Sequence, residues 1–331
     1  MIRELPAGEV KGEKAAHLLD KMRFTGLKSG RYCGMDMRQR VAIVGVTGFV
    51  GRGLPALFAE KGMAVTGVSR SGAGSLPGVD RWQTPDTLDF SGHHAVINLA
   101  GEPIDRRWTE KYKLLFHESR VGVTDRVVGA IAKLPENERP KVLVNASAVG
   151  IYGDRGDEIL PDSARPGSGY LAELCSDWED AALEAESLGV RVVRLRIGIV
   201  LGKNGAAFEK LRKVFNFGIG GRLGSGRQWM PWIHLDDLRA AILHAVLSET
   251  LSGPVNGTAP NPERNADLTR IFAAALHRPA IFPAPAFALK LILGEFSTAL
   301  LRSPRAIPAA LEANGFHFRF PTLEDALADL I

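Results

Sequence analysis

Short apolar runs alternate with amphipathic stretches from about residue 40 to residue 197. Residues 41–44, 63–68, 95–99, 141–148 and 190–196 are dominated by Val, Ile, Leu and Ala. Runs of this kind suit strands buried on both faces of a parallel sheet. Residues 79–83 predict a further short strand. Helical spacing fills the intervals at 49–61, 108–133 and 169–188. Strand and helix alternate without a break, which predicts a doubly wound sheet with right-handed crossovers. Beyond Ile197 glycines punctuate residues 198–226, and Trp229 and Trp232 mark a run that ends at His234. Asp236 and Asp237 then sit in the first turn of a predicted helix, where acids suit the dipole. Residues 254–258 predict a strand, followed by a helix from Asn265 to about His277. Pro283, Pro285, Pro304, Pro308 and Pro321 separate the remaining helical runs.

The first strand breaks into Gly45, Gly48 and Gly51, spaced GxxGxxG, before the first helix. In a dinucleotide site the first glycine of such a turn allows the tight bend. The second lets the backbone approach a pyrophosphate, and the third lets helix and strand pack closely. The helix N-terminus favours the negative charge. The second strand ends on Ser69 and Arg70, with no acid nearby in the chain. An acid there would meet a ribose 2′-OH, whereas a hydroxyl and a guanidinium suit a 2′-phosphate, so NADP(H) is expected over NAD. Asn98, Leu99, Ala100 and Gly101 close another strand with mostly small residues, leaving room for a cofactor ribose. The expected fold is α/β, a Rossmann-type doubly wound parallel sheet with a smaller C-terminal substrate lobe. Its expected parts are a peripheral extension at 1–37, a nucleotide-binding domain at 38–277 with substrate-lobe insertions after about 197, and a small helical domain at 278–331.

Composition narrows the function classes. At 45% hydrophobic and 24% charged, the 331 residues have the makeup of a globular protein. The net charge of +4 is spread without a dense Lys/Arg run, which argues against nucleic acid and leaves an anionic small-molecule substrate in play. The apolar stretch 280–293 is too short to span a membrane and contains Pro283, Pro285 and Lys290. Residues 1–36 lack the apolar core of a secretory signal. Cys33 and Cys175 form no metal or disulfide pattern, so a reducing cytoplasm is expected and no metal.

Several separated motifs resemble extended short-chain dehydrogenases/reductases, the group of sugar-nucleotide epimerases and dehydratases. They are the glycine turn, Asn-Leu-Ala-Gly at 98–101, Ser147 with Tyr152-Gly153, and Trp-Ile-His-Leu-Asp-Asp-Leu at 232–238. A nearer resemblance is to the epimerase-family branch of YfcH and SDR39U1-type proteins. It rests on Glu-Pro-Ile at 102–104, Arg107-Trp108, Ser119-Arg120, Ser-Ala-Val-Gly-Ile-Tyr-Gly-Asp at 147–154, Trp178-Glu179, and the run from Leu223 to His234. Residues 282–330 resemble the domain of unknown function appended to that branch. The resemblance implies an NADP site lined by Gly45, Thr47, Gly48, Phe49, Val50, Gly51, Ser69, Arg70, Leu99, Ala100 and Arg120, and a homodimer.

A catalytic member of the group needs a Tyr acid/base, a Lys four residues on, and a Ser or Thr that polarises the substrate oxygen. Tyr170 is the candidate Tyr, but Leu174 stands where the Lys belongs. A neutral side chain cannot lower the Tyr pKa by charge. Ser147 is the candidate hydroxyl, one residue early, with Ala148 at the usual position. Tyr170 could instead pack on the nicotinamide or cap the pocket. His234 lies in an apolar run that suits a core histidine better than a base, while Glu102, Asp154, Arg222 and Arg227 are candidate pocket residues. Two functions follow: an NADP(H)-dependent oxidoreductase or epimerase-like enzyme, or a non-catalytic NADPH-binding sensor or interaction protein.

Overall fold

A computed structural model describes residues 38–331; Cys33 and the expected extension at 1–37 lie outside the described residues. The main sheet contains β1 (Arg40–Val44), β2 (Ala64–Val68), β3 (Arg81–Gln83), β4 (His93–Asn98), β5 (Val142–Ala148), β6 (Arg191–Ile197) and β7 (Gly253–Gly257). Their spatial order is 3-2-1-4-5-6-7, and every pair is parallel. The order reverses between β1 and β4, and ligands of such sheets lie outside the strand ends at that switch.

Residues alternate between the two faces of each strand, and both faces are buried. Val41, Ile43, Val65, Ile97, Val144 and Leu195 face one core with Leu54 and Phe58 of α1 (Leu54–Glu60). Ala42, Val44, Val68, Val96, Leu143 and Val192 face the other. That second core is closed by a long helical stretch, in which α2 (Glu110–His117) runs through a π-helical turn (Glu118–Gly122) into α3 (Val123–Ala132). The hydroxyl of Thr109 caps α2 by accepting from Tyr112 N. The helix α4 (Tyr170–Leu183) completes that layer with Ala182. Burying a side chain of Val, Ile or Leu size contributes roughly 1.5–3 kcal/mol, so these two layers dominate the favourable energy of the fold.

The remaining chain forms α5 (Ala206–Asn216), α6 (Leu235–Leu247), α7 (Asn265–Ala275), α8 (Ala286–Leu293) and, after two short helices at Ser297–Leu301 and Ala309–Ala313, α9 (Leu323–Leu330). Paired short strands stitch them: Ile199–Leu201 with Trp232–His234, Trp229–Met230 with Glu263–Arg264, and Ile159–Leu160 with Arg305–Ala306. Phe208, Phe215, Trp232, Phe272 and Leu327 form a core of their own. Leu311 and Phe316 belong to the same core as β1. The buried Asp237 carboxylate accepts from the amides of Arg319 and Phe320 at 2.8 and 2.9 Å. Among the described residues, no helix is long and apolar enough to cross a membrane.

Burial of histidines ties stability to pH, and His93 and His234 are the two least exposed of them. Burial lowers the pKa of His93, whose Nε2 lies 2.9 Å from Thr66 Oγ1, and burial also lowers that of His234. Both bind protons more weakly in the fold than in the unfolded chain, where the ordinary value is 6.5. Their contribution is therefore complete above that value and is lost as pH falls through the lowered values. Thermal melts are expected to show Tm dropping on acidification below that point, less steeply in His93→Gln than in wild type.

Candidate functional site

β1 is followed directly by Gly45 at φ +81°, a left-handed conformation that glycine adopts without strain. Its amide donates to Val68 O at 3.1 Å, and Gly48 N donates back to Gly45 O at 2.9 Å. A Cβ on Gly45 would stand 3.1 Å from the Leu99 carbonyl, and one on Gly51 only 2.4 Å from Gly45 O. The glycine spacing is thus set by backbone touching backbone. The turn feeds through Gly51–Gly53 into α1, whose first turn carries Pro55.

The loop after β4 forms the opposite wall. Asn98 is fully buried and turned into the protein. Its Nδ2 donates to Thr124 Oγ1 at 3.0 Å and Asn145 Oδ1 at 2.7 Å, and its Oδ1 accepts from Ala100 N at 3.2 Å. Asn98 therefore holds the Leu99-Ala100-Gly101 loop in place, and its side chain does not face the cleft. Arg120 comes from the π-helical turn, a feature that often re-aims one residue at a functional site. Its Nη2 donates to Glu102 O at 2.9 Å, and its guanidinium lies 5.3 Å from the Trp178 ring centroid. Burial lowers its pKa from a value so high that it stays cationic.

Between these walls lies a cleft of about 540 Å³. Of the expected residues, Gly45, Gly48, Phe49, Val50 and Gly51 line one side. Leu99, Ala100, Gly101, Arg120 and Ser147 line the other. Thr47, Ser69, Arg70, Asn98 and Tyr170 lie outside the lining. Thr47 is exposed and accepts from Arg52 Nη2 through its carbonyl at 3.1 Å. Ser69 Oγ meets Ser71 Oγ at 3.2 Å. The Arg70 side chain is 91% exposed and reaches Glu102 Oε1 at 3.4 Å. The acid missing from the chain beside Arg70 is thus supplied in space by the loop after β4, and Glu102 lines the cleft. The far end of the cleft is apolar: Leu171, Leu174, Cys175 and Trp178 lie on one face of α4 at helical spacing. Burial pushes the Cys175 thiol up to about 12, which leaves it un-ionised.

The two candidate catalytic groups are both engaged. Ser147 Oγ donates to Glu179 Oε1 at 2.8 Å. That carboxylate also accepts from Arg196 Nε and Nη2 at 2.8 and 2.9 Å and from Arg194 Nη1 at 3.1 Å. Arg196 continues to the Tyr152 hydroxyl at 2.9 Å, which donates to Asn256 Oδ1 at 2.7 Å. Tyr170 donates to Lys113 O at 3.4 Å, its ring centroid is 5.2 Å from that of Trp108, and burial raises its pKa against the pull of Lys113. Leu174, at the position where the sequence pattern expects a Lys, lines the cleft. Arg222 borders a different surface depression, and His234 accepts from Asp236 N through Nδ1 at 3.1 Å, capping α6.

A parallel sheet in 3-2-1-4-5-6-7 order, with a glycine turn and a cleft at its switch point, defines a Rossmann-type α/β protein of the short-chain dehydrogenase/reductase class. Residues 41–256 match the NAD dependent epimerase/dehydratase family, to which the chain belongs, and residues 284–330 match the domain of unknown function DUF1731. The chain is 38% identical over 301 residues to the chloroplastic epimerase family protein SDR39U1 homolog of Arabidopsis thaliana, covering 88% of this chain and 86% of that one. It is 36% identical over 312 residues to the epimerase family protein YfhF of Bacillus subtilis, covering 88% and 97%. The crystal structure of human epimerase family protein SDR39U1 (isoform 2) with NADPH superposes with a TM-score of 0.80 at 33% identity, covering 88% of this chain and 99% of that one.

Proposed function

We propose that this protein binds NADP(H) in the cleft and acts as an oxidoreductase or epimerase-like enzyme on a small-molecule substrate. The observation that carries the reading is the cleft itself, floored by Gly45, Gly48 and Gly51, with Ser69 and Arg70 at the end of β2. The residues fit the cofactor. The glycine turn leaves no room for a Cβ at Gly51, and amides at the start of a helix suit a pyrophosphate. Arg70 exchanges its exposed pairing with Glu102 for the 2′-phosphate. Leu99, Ala100 and Gly101 border the ribose. When bound, the nicotinamide supplies or accepts a hydride. Arg120 offers the cleft a positive charge for an anionic group, beside the apolar wall of α4. Support comes from the related human protein, whose structure was determined with NADPH.

The second reading, a non-catalytic NADP(H)-binding protein, draws on the engagement of Ser147 and Tyr170. For either to move a proton, Ser147 must exchange Glu179 for substrate, or Tyr170 must leave the Lys113 carbonyl. Fluorescence titration is expected to show tighter binding of NADPH than NADH, with Arg70→Ala weakening NADPH about ten- to a hundredfold and leaving NADH unchanged, the size of a lost charge-assisted contact. Preference for NADH would sink the Arg70 assignment. If a carbonyl or sugar-nucleotide substrate is turned over and Tyr170→Phe leaves the rate intact, Tyr170 is not the acid/base.

A further inference from the structure

Phe49 has a second side. Its ring is seated on the loop after Leu201, where a Cβ on Gly202 or Gly205 would stand 3.0 or 2.5 Å from it. The ring borders both the cofactor cleft and a separate pocket of about 300 Å³. We infer that this second pocket is a binding site for a small dianion, a phosphate or dicarboxylate, distinct from the cofactor cleft.

The charge that lines it is arranged for such a ligand. Lys203, Arg52 and Arg239 border the pocket. Among the described residues Lys203 has no hydrogen-bond or ion-pair partner, and it sits beside Asn204, which is held at φ +67°. Arg239 gives Nε and Nη2 to the carbonyls of Val50 and Phe49 at 3.0 Å each. Its Nη1 is left 3.6 Å from Asp236 Oδ1, beyond a hydrogen bond and open to a better acceptor. A fourth donor comes from His234, which is 2% exposed. Because its Nδ1 accepts the Asp236 amide, the neutral ring carries its proton on Nε2. That buried Nε2 has no hydrogen-bond partner among the described residues, and the Asp329 carboxylate on the pocket rim stands off at 3.5 Å. A buried donor without an acceptor is costly, and His234 Nε2 lies behind the Asp329 carboxylate, so an anion reaches it only if that carboxylate swings aside. Two carboxylates, Asp236 and Asp329, also face the pocket, but three cations outnumber them and both lie at least one-third exposed. The inference does not depend on NADP(H) occupying the cleft, because neither Lys203 nor Asp329 lines the cleft.

Thermal-shift titration of the full chain with inorganic phosphate and with malonate, against sodium chloride at matched ionic strength, tests the site. Stabilisation beyond chloride by either anion is expected, and the more effective one identifies the ligand class. Lys203→Glu is expected to weaken the response about fivefold or more, and Asp329→Asn, which removes a repelling charge without changing shape, to strengthen it by a similar factor. Equal shifts with all three salts, or a response that both variants leave unchanged, would overturn the proposal. The response is expected to persist with excess NADPH present, and its loss there would reassign it to the cofactor cleft.

Discussion

Gly51→Ala is expected to abolish NADP(H) binding and to cost about 1–3 kcal/mol of stability, the usual penalty for overfilling a packed site. The added methyl would lie 2.4 Å from Gly45 O and 3.0 Å from Val46 Cα. Both are backbone atoms, so no side chain can swing aside. Relief would have to come from moving the Gly51–Gly53 turn away from β1, and that turn leads straight into α1. The same motion would displace the amides proposed to hold the pyrophosphate. Gly53→Ala is the informative control. Its methyl meets the Arg239 guanidinium first, at 2.3 Å, so the strain falls on a side chain that can yield by giving up its bonds to the Val50 and Phe49 carbonyls, and stability is expected to fall without the Gly51–Gly45 backbone clash. Urea unfolding and NADPH titration of both variants check the contrast, and a Gly51→Ala protein that binds NADPH within about twofold of wild type would refute it.

Glu179→Ala should be the most destabilising carboxylate deletion among the described residues, at about 3–5 kcal/mol, because it leaves buried cations without a counter-charge. Glu179 is 2% exposed and Arg196 is 3% exposed, so water cannot take over the lost partner. Four donors lose their acceptor at once: Ser147 Oγ, two nitrogens of Arg196 and one of Arg194. Ser147→Ala removes a single neutral donor and should cost only about 1 kcal/mol. Replacing Glu179 and Arg196 together by Leu and Met should recover part of the loss, since an apolar pair of similar volume avoids the desolvation of both charges. Chemical denaturation of the three variants decides the order. If Glu179→Ala costs no more than Ser147→Ala, the network under β5 is not holding charge in the way described.

Much of this architecture was legible in the sequence because each signal was local. The apolar runs of β1, β2, β4, β5 and β6 and the glycine spacing need no knowledge of distant residues. What escaped depended on side-chain direction and on register. Asn98 stood among small residues at a strand end and suggested a cofactor contact. In the sheet it pairs in register with Asn145 of β5 and turns inward. Ser147 lies on the cleft wall, yet its proton goes to a carboxylate 32 residues further on. Arg70 looked free of acids along the chain, while the β2-β1-β4 order brings Glu102 across to it. The apolar end of the cleft was written in the i, i+3, i+4, i+7 spacing of Leu171, Leu174, Cys175 and Trp178, which is indistinguishable from ordinary core spacing until the fold shows what it faces. The two- and three-residue strands that stitch the later segments carry no periodicity to detect.

The shared core of β1 and the segment around Leu311 and Phe316 also bears on how the chain matures. During synthesis β1 precedes the Ala309–Ala313 helix, which packs on the edge strand β7 at the far side of this core, by roughly a quarter of a minute to a minute at ordinary elongation rates. Until then Val41 and Ile43 belong to an incomplete layer. The nascent chain therefore presents apolar surface to its surroundings for most of its time on the ribosome. That interval is the window in which aggregation or chaperone capture competes with folding.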